Sequence, residues 1–185
     1  MKFGRRSLIA LTLVLPFATW ADTAVKLPAH VKAELGQARL AGYGTFRWLG
    51  LKIYDAQFWV GDKGYLSGAP GAARFALDLQ YSRRLLGKKI AESSVNEMQK
   101  LNLGTPEQRA VWRNRMDNLF PDVQEGTQIT GIYLPNQGAR FYRDGVGLGE
   151  IMDADFGRAF FAIWLDEKTS AGSLREALLA DAAPR

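Results

Sequence analysis

The 185-residue chain contains no cysteine and a single histidine, His30. Without cysteine there is no disulfide, thiolate nucleophile or lipidated cysteine, so the fold rests on its core alone. With one histidine, a His-bearing catalytic triad or a multi-His metal centre would have to be built around His30, whose expected role is structural. No G-x-S-x-G, H-E-x-x-H, P-loop or dinucleotide fingerprint occurs; Gly42-Tyr43-Gly44 lacks the rest of the last pattern and precedes a strand. No cofactor and no metal is expected. Asp153 and Asp155 precede an apolar helical run, where carboxylates act as N-terminal caps.

A strong excess of one charge is missing as well. Lys2, Arg5 and Arg6 are followed by an apolar run from Ser7 to Phe17 and by Thr19-Trp20-Ala21, the pattern of a cleavable signal peptide. The expected division is a leader over residues 1–21 and a single domain over 22–185, exported to a periplasm. Beyond Ala21 the chain carries 21 Lys+Arg against 19 Asp+Glu, a balance of +2 that gives no support to nucleic-acid binding. No later segment reaches the roughly 18 uninterrupted apolar residues of a transmembrane helix.

What is present is a concentration of aromatic and β-branched residues between Gly42 and Val60, read as two strands joined at Trp48-Leu49-Gly50. Two charges lie among them. Arg47 sits between Phe46 and Trp48, and Asp55 between Tyr54 and Ala56. A guanidinium is always charged, so Arg47 must pair with Asp55, reach water, or face a cavity that expects an anion. A planar guanidinium clamps a carboxylate, a phenol such as Tyr54 adds a neutral hydrogen bond, and Phe46, Trp48, Phe58 or Trp59 supply aromatic walls. Arg47 and Tyr54 have opposite strand parity and share a face only if Gly50 breaks the register.

Along the rest of the chain, Asp22 to Glu34 reads as a lead-in followed by a strand starting near Pro28. Phe75 to Tyr81 alternates as a half-buried strand. Helices follow over Lys88–Leu101 and from Thr105-Pro106-Glu107-Gln108 to Pro121, the second opened by a capping-box signal. Thr127 to Leu134, Ala139 to Arg143 and Val146 to Ile151 are strands, the last two joined by Asp144-Gly145. Helices over about Asp155–Trp164 and Ser173–Ala180 close the chain. Hairpin-linked strands with grouped helices make an α+β domain, an antiparallel sheet covered by helices on one face. Arg83, Arg84, Lys88 and Lys89 form a basic cluster between strand and helix, read first as a solvated face.

Gly42-x-Gly44-x-x-Arg47 with Lys52-Ile53-Tyr54-Asp55-Ala56, then Leu86-Gly87-Lys88-Lys89-Ile90-Ala91-Glu92, and then Phe120-Pro121-Asp122-Val123 with Gly126-Thr127 form an ordered series. It continues through Phe141-Tyr142-x-x-Gly145, Phe160-Phe161-x-Ile163-Trp164-Leu165 and Leu174-Arg175. Over Gly36 to Leu179 the chain thus resembles the bacterial exported branch of the chalcone isomerase-like family. The resemblance implies an open-faced β-sandwich, a large antiparallel sheet with a helical layer and a ligand cleft between them. Enzymes of the family use an arginine helped by threonine and tyrosine; here Arg47 stands at the arginine, but Lys52 or Ile53 and Ile90 stand at the other two positions. Non-catalytic members hold a fatty-acid carboxylate with an arginine and a tyrosine, a pair that Arg47 and Tyr54 fit. The leading expectation is therefore a non-catalytic binder of a small apolar acid such as a fatty acid, with Arg47, Tyr54, Phe46, Trp48 and Phe58 at the ligand. The alternatives are an isomerase or lyase with Arg47 as electrophile, and a cell-envelope protein-interaction module using the basic cluster and Trp59.

Overall fold

A computed structural model describes residues 25–184. The expected leader lies outside the described residues. Six strands, β1 (Ala38–Trp48), β2 (Leu51–Gly61), β3 (Phe75–Tyr81), β4 (Gln128–Leu134), β5 (Gly138–Arg143) and β6 (Val146–Ile151), form one antiparallel meander in the order β1-β2-β3-β4-β5-β6. Helices α2 (Gly87–Lys100), α3 (Pro106–Leu119), α4 (Ala154–Leu165) and α5 (Gly172–Leu178) pack on one face. This is the α+β open-faced architecture expected from the alternating strands.

The main core forms where Tyr54, Ala56, Phe58 and Val60 of β2, Phe75, Leu77, Leu79 and Tyr81 of β3, and Phe141 of β5 meet α4. Helix α4 is buried on nearly every side, which its sequence Phe156 to Leu165 requires, since apart from the exposed Arg158 it is apolar or glycine throughout and has almost no face to give to water. Its start is fixed by Asp153, whose Oδ1 accepts from the backbone N–H of Asp155 and Phe156 at 3.0 Å each while Oδ2 accepts from Trp112 Nε1 at 2.9 Å. Helix α3 begins in the expected capping box: Thr105 Oγ1 accepts from Gln108 N at 3.2 Å, and Gln108 Oε1 from Thr105 N at 2.8 Å. Helix α5 lies so close to β1 that a Cβ at Gly42 would stand 2.0 Å from the Ala177 carbonyl oxygen, leaving glycine as the residue that fits there.

The segment expected as a strand before Glu34 is instead helix α1 (Ala29–Leu35). Pro28, in an extended conformation, supplies no N–H at the point where a helix would leave one unpaired. Val31 and Leu35, four residues apart, then meet the sheet on one helical face. This helix covers the second face of the sheet, over Trp59, Ala76, Ile132 and Leu134. Strand β3 is consequently buried on both faces except at Gln80, rather than half-buried.

Polar contacts hold α1 in place. The buried Thr130 hydroxyl donates to Asp78 Oδ1 at 2.7 Å, so it accepts from His30 Nε2 at 2.8 Å, which fixes the imidazole as the Nε2–H tautomer. Glu34 accepts from Arg140 Nη1 and the Tyr142 hydroxyl and pairs with Arg74. Burial lowers the His30 pKa, against the pull of Asp78 and Glu34, and burial raises that of Asp78.

Two predictions follow from this geometry. At the β1–β2 turn both Leu49 and Gly50 have positive φ, +48° and +79°, the requirement of a type I′ turn that favours Asn-Gly. A leucine there is strained, so Leu49→Asn is expected to raise stability by up to about 1 kcal/mol, read as a higher urea midpoint at unchanged slope. For His30 the folded pKa lies below the unfolded value, so the unfolded state takes the proton first as pH falls. Wild type is expected to lose stability relative to His30→Gln as pH drops below about 6.5, measured by urea melts across that range. Equal pH slopes in the two proteins would contradict the burial of the neutral ring. The raised Asp78 works in the opposite sense, its contribution growing with acidification toward the ordinary carboxylate range.

Candidate ligand cleft

The β1–β2 ladder determines which side chains face the helices. Phe46 pairs with Tyr54 but the next residue, Arg47, pairs with Lys52, so Ile53 is an extra residue in β2, a β-bulge. The register breaks at Ile53 and not at Gly50. Phe46 and Tyr54 therefore share the helix-facing side, their rings stacked with centroids 5.1 Å apart, and the bulge turns Ile53 to the same side.

A cleft of about 360 Å³ opens there between the sheet and helices α2 and α4. Its walls are Phe46, Ile53, Leu79, Leu85, Ile90, Phe120, Ile129, Phe160 and Ile163, an apolar lining suited to a small apolar ligand. At its rim stand the exposed Trp48, Lys89, Ser93 and Ser170, with Glu97 beside them bonded to Lys100 and Ser170. Deeper in lie two buried phenols, Tyr54 and Tyr81, set edge-to-face at 5.8 Å. Tyr54 Oη accepts from Trp164 Nε1 at 2.9 Å and keeps its own proton to donate. Burial pushes both phenol pKa values far above the ordinary one, so both are neutral hydrogen-bond donors at any physiological pH.

The structure brings together three of the five residues expected at the ligand, Phe46, Trp48 and Tyr54. Arg47 is not among the lining residues. It is exposed, donates a long bond of 3.4 Å to the Gly50 carbonyl, and alternation along β1 turns it away from Phe46. It forms no direct pair with Asp55 either: that carboxylate accepts from Thr45 Oγ1 and takes Lys52 Nζ, both at 2.6 Å. Burial raises the Asp55 pKa, but these bonds, with the more distant charge of Arg47, outweigh it and lower the group overall. Phe58 is wholly buried in the main core between Tyr65 and Phe75. Trp59 is buried beneath α1 on the other face and offers no surface to a protein partner.

Tyr81 and Trp164 escaped the sequence reading of the site, because their roles arise from side chains of β2, β3 and α4 that meet only across the cleft. A wider depression of about 740 Å³ lies on the other flank of α4, rimmed by Asp155, Arg158, Asp166, Glu167, Lys168 and Arg175. Its mixed charges suit a solvated groove better than an apolar ligand.

Removing the Tyr54 hydroxyl strands the buried Trp164 N–H. Tyr54→Phe is therefore expected to cost about 1–3 kcal/mol of stability, and Tyr54→Phe/Trp164→Phe less than the sum of the single changes, measured by urea denaturation of the cycle.

Comparison with known proteins agrees with this geometry. The chain matches a curated protein of Haemophilus influenzae, described only as an uncharacterized protein, at 30% identity over 103 residues, 56% of this chain and 50% of the other. It thus spans about half the length of that curated relative. Among solved structures, a fatty-acid binding protein of Arabidopsis thaliana superposes with a TM-score of 0.61 at 14% identity, over 78% of this chain and 88% of the other, a likeness of fold. Residues 21–180 match the family described as chalcone isomerase-like, and with the meander sheet, its helical layer and the cleft between them, the chain belongs to the chalcone isomerase-like family.

Proposed function

We propose that the protein is a non-catalytic binder of a small apolar carboxylic acid, such as a fatty acid, held in the cleft between the sheet and helices α2 and α4. One observation carries the reading: an apolar cleft whose only deep polar groups on the sheet, among the described residues, are the neutral phenols of Tyr54 and Tyr81. A carboxyl group accepts from two O–H donors at once, and the aromatic and aliphatic walls take the rest of the molecule. The fatty-acid binding protein of the same fold supports this class of ligand. An isomerase would need an electrophile at the substrate, and the exposed Arg47 lies outside the lining of the cleft. On the strength of the leader pattern in residues 1–21, we place the protein in the periplasm.

The test is native mass spectrometry and organic extraction of protein purified without detergent, followed by titration with fatty acids. A bound acid is expected, with Tyr81→Phe weakening it about three- to tenfold. Ile90→Trp, which fills the cleft, should abolish binding, and Arg47→Ala should leave it unchanged. Empty protein whose melting temperature no fatty acid moves would end the proposal, and loss of ligand on Arg47→Ala alone would return the head group to that arginine.

A further inference from the structure

The β1–β2 turn is an unusual place for large apolar side chains. Trp48 is 62% exposed, Leu49 81% and Leu51 51%, and they are consecutive but for Gly50. Leu49 also occupies a left-handed backbone conformation that asparagine or glycine would adopt with less strain.

Cations flank this hairpin. Arg47 and Lys52 pair across the two strands immediately behind its turn. Ser82 N donates to Ile53 O at 2.9 Å, which starts the Arg83-Arg84 segment beside β2; Leu86, Lys88 and Lys89 follow in the chain and are exposed, and Lys89 shares the cleft rim with Trp48. Lys52 is paired with Asp55 and Lys89 with Glu92, but among the described residues no ion pair engages Arg47, Arg83, Arg84 or Lys88. Leu86 adds another exposed apolar side chain between the basic residues.

From these observations we propose that the Trp48-Leu49-Gly50-Leu51 tip and the Arg83–Lys89 segment form a docking surface for an anionic lipid bilayer. Leucines at an exposed turn enter the acyl boundary, a tryptophan sits at the headgroup level, and Arg47, Arg83, Arg84 and Lys88 meet lipid phosphates. Such contact is peripheral, because among the described residues no helix is long and apolar enough to cross a membrane. Trp48 and Lys89 belong both to this surface and to the rim of the cleft, so docking sets the cleft mouth against the lipid. An apolar acid then passes between bilayer and cleft without crossing water. This last consequence rests on the binding function proposed above; the docking surface itself does not.

The absence of cysteine permits a local test in the full chain. An environment-sensitive fluorophore is placed on Leu49→Cys or, as a control, on Val146→Cys at the exposed β5–β6 hairpin, and vesicles of equal parts phosphatidylglycerol and phosphatidylcholine are added. A blue shift at position 49 only, reduced by salt and by pure phosphatidylcholine vesicles, is the expected result. In unlabelled protein, Leu49→Asn/Leu51→Ser is expected to weaken vesicle partition by about tenfold or more, with an unchanged fold because asparagine suits the turn. Equal responses at both positions, or unchanged partition of the double variant, would overturn the proposal by assigning lipid contact to another segment. A label at position 49 that responds to protein concentration but not to vesicles would overturn it in favour of a second copy of the chain. Because the double variant leaves the cleft lining intact, titration of a soluble short-chain fatty acid reports on ligand binding separately.

Discussion

A single inserted residue in β2 decides how this sheet is used. Ile53 has no partner on β1, so the ladder that pairs Phe46 with Tyr54 resumes with Arg47 opposite Lys52. The bulge lets Ile53 and Tyr54, neighbours in sequence, both face the helices, where strict alternation would have sent one of them to the other side. It leaves Ile53 in the cleft wall and sets Lys52 opposite Arg47 on the other side of the sheet. Arg47 itself faces outward by plain alternation from Phe46 along β1.

The cleft exists because α4 cannot cover the whole sheet. Apolar around nearly its entire circumference, α4 sinks into the middle of the helical face, fixed at one end by Asp153 and tied to β2 by the bond from Trp164 to Tyr54. Helix α2 flanks it across the cleft, its start fixed by the Asp122 carboxylate, which accepts from the Gly87 N–H at 2.9 Å. Between α2 and α4 the sheet residues Tyr54, Leu79 and Tyr81 remain uncovered enough to line a cavity. Burial keeps the two phenols neutral, which suits them to donate hydrogen bonds and unsuits them as bases.

The second face shows how a short helix is held where propensity is weak. Seven residues are too few to form a stable helix alone, and α1 has no side-chain cap. Its order comes from Val31 against Trp59 and Ile132, and from His30 and Glu34 reaching polar side chains on β4 and β5. The partners lie about a hundred residues away, Thr130 for His30 and Tyr142 for Glu34. A local reading of Asp22 to Glu34 sees only proline and scattered apolar residues, and a strand was the natural expectation.

The amino-acid sequence by itself determined the six strands, the four helices of the main layer and their order, because alternation, capping residues and turn chemistry are local signals. Thr105-Pro106, Asp153 and Asp144-Gly145 mark their boundaries without any knowledge of the fold. It also drew attention to Gly42 to Val60, of which Phe46, Trp48 and Tyr54 line the cleft. Only the tertiary structure decided that Arg47 faces outward, that Phe58 belongs to the core, and that Tyr81 and Trp164 also line the cleft. The reason is physical. Alternation fixes which residues of a strand share a face but not which face meets the helices; that choice, like the bulge at Ile53, depends on the neighbouring strand and the helix packed above it, neither of which is encoded near Arg47.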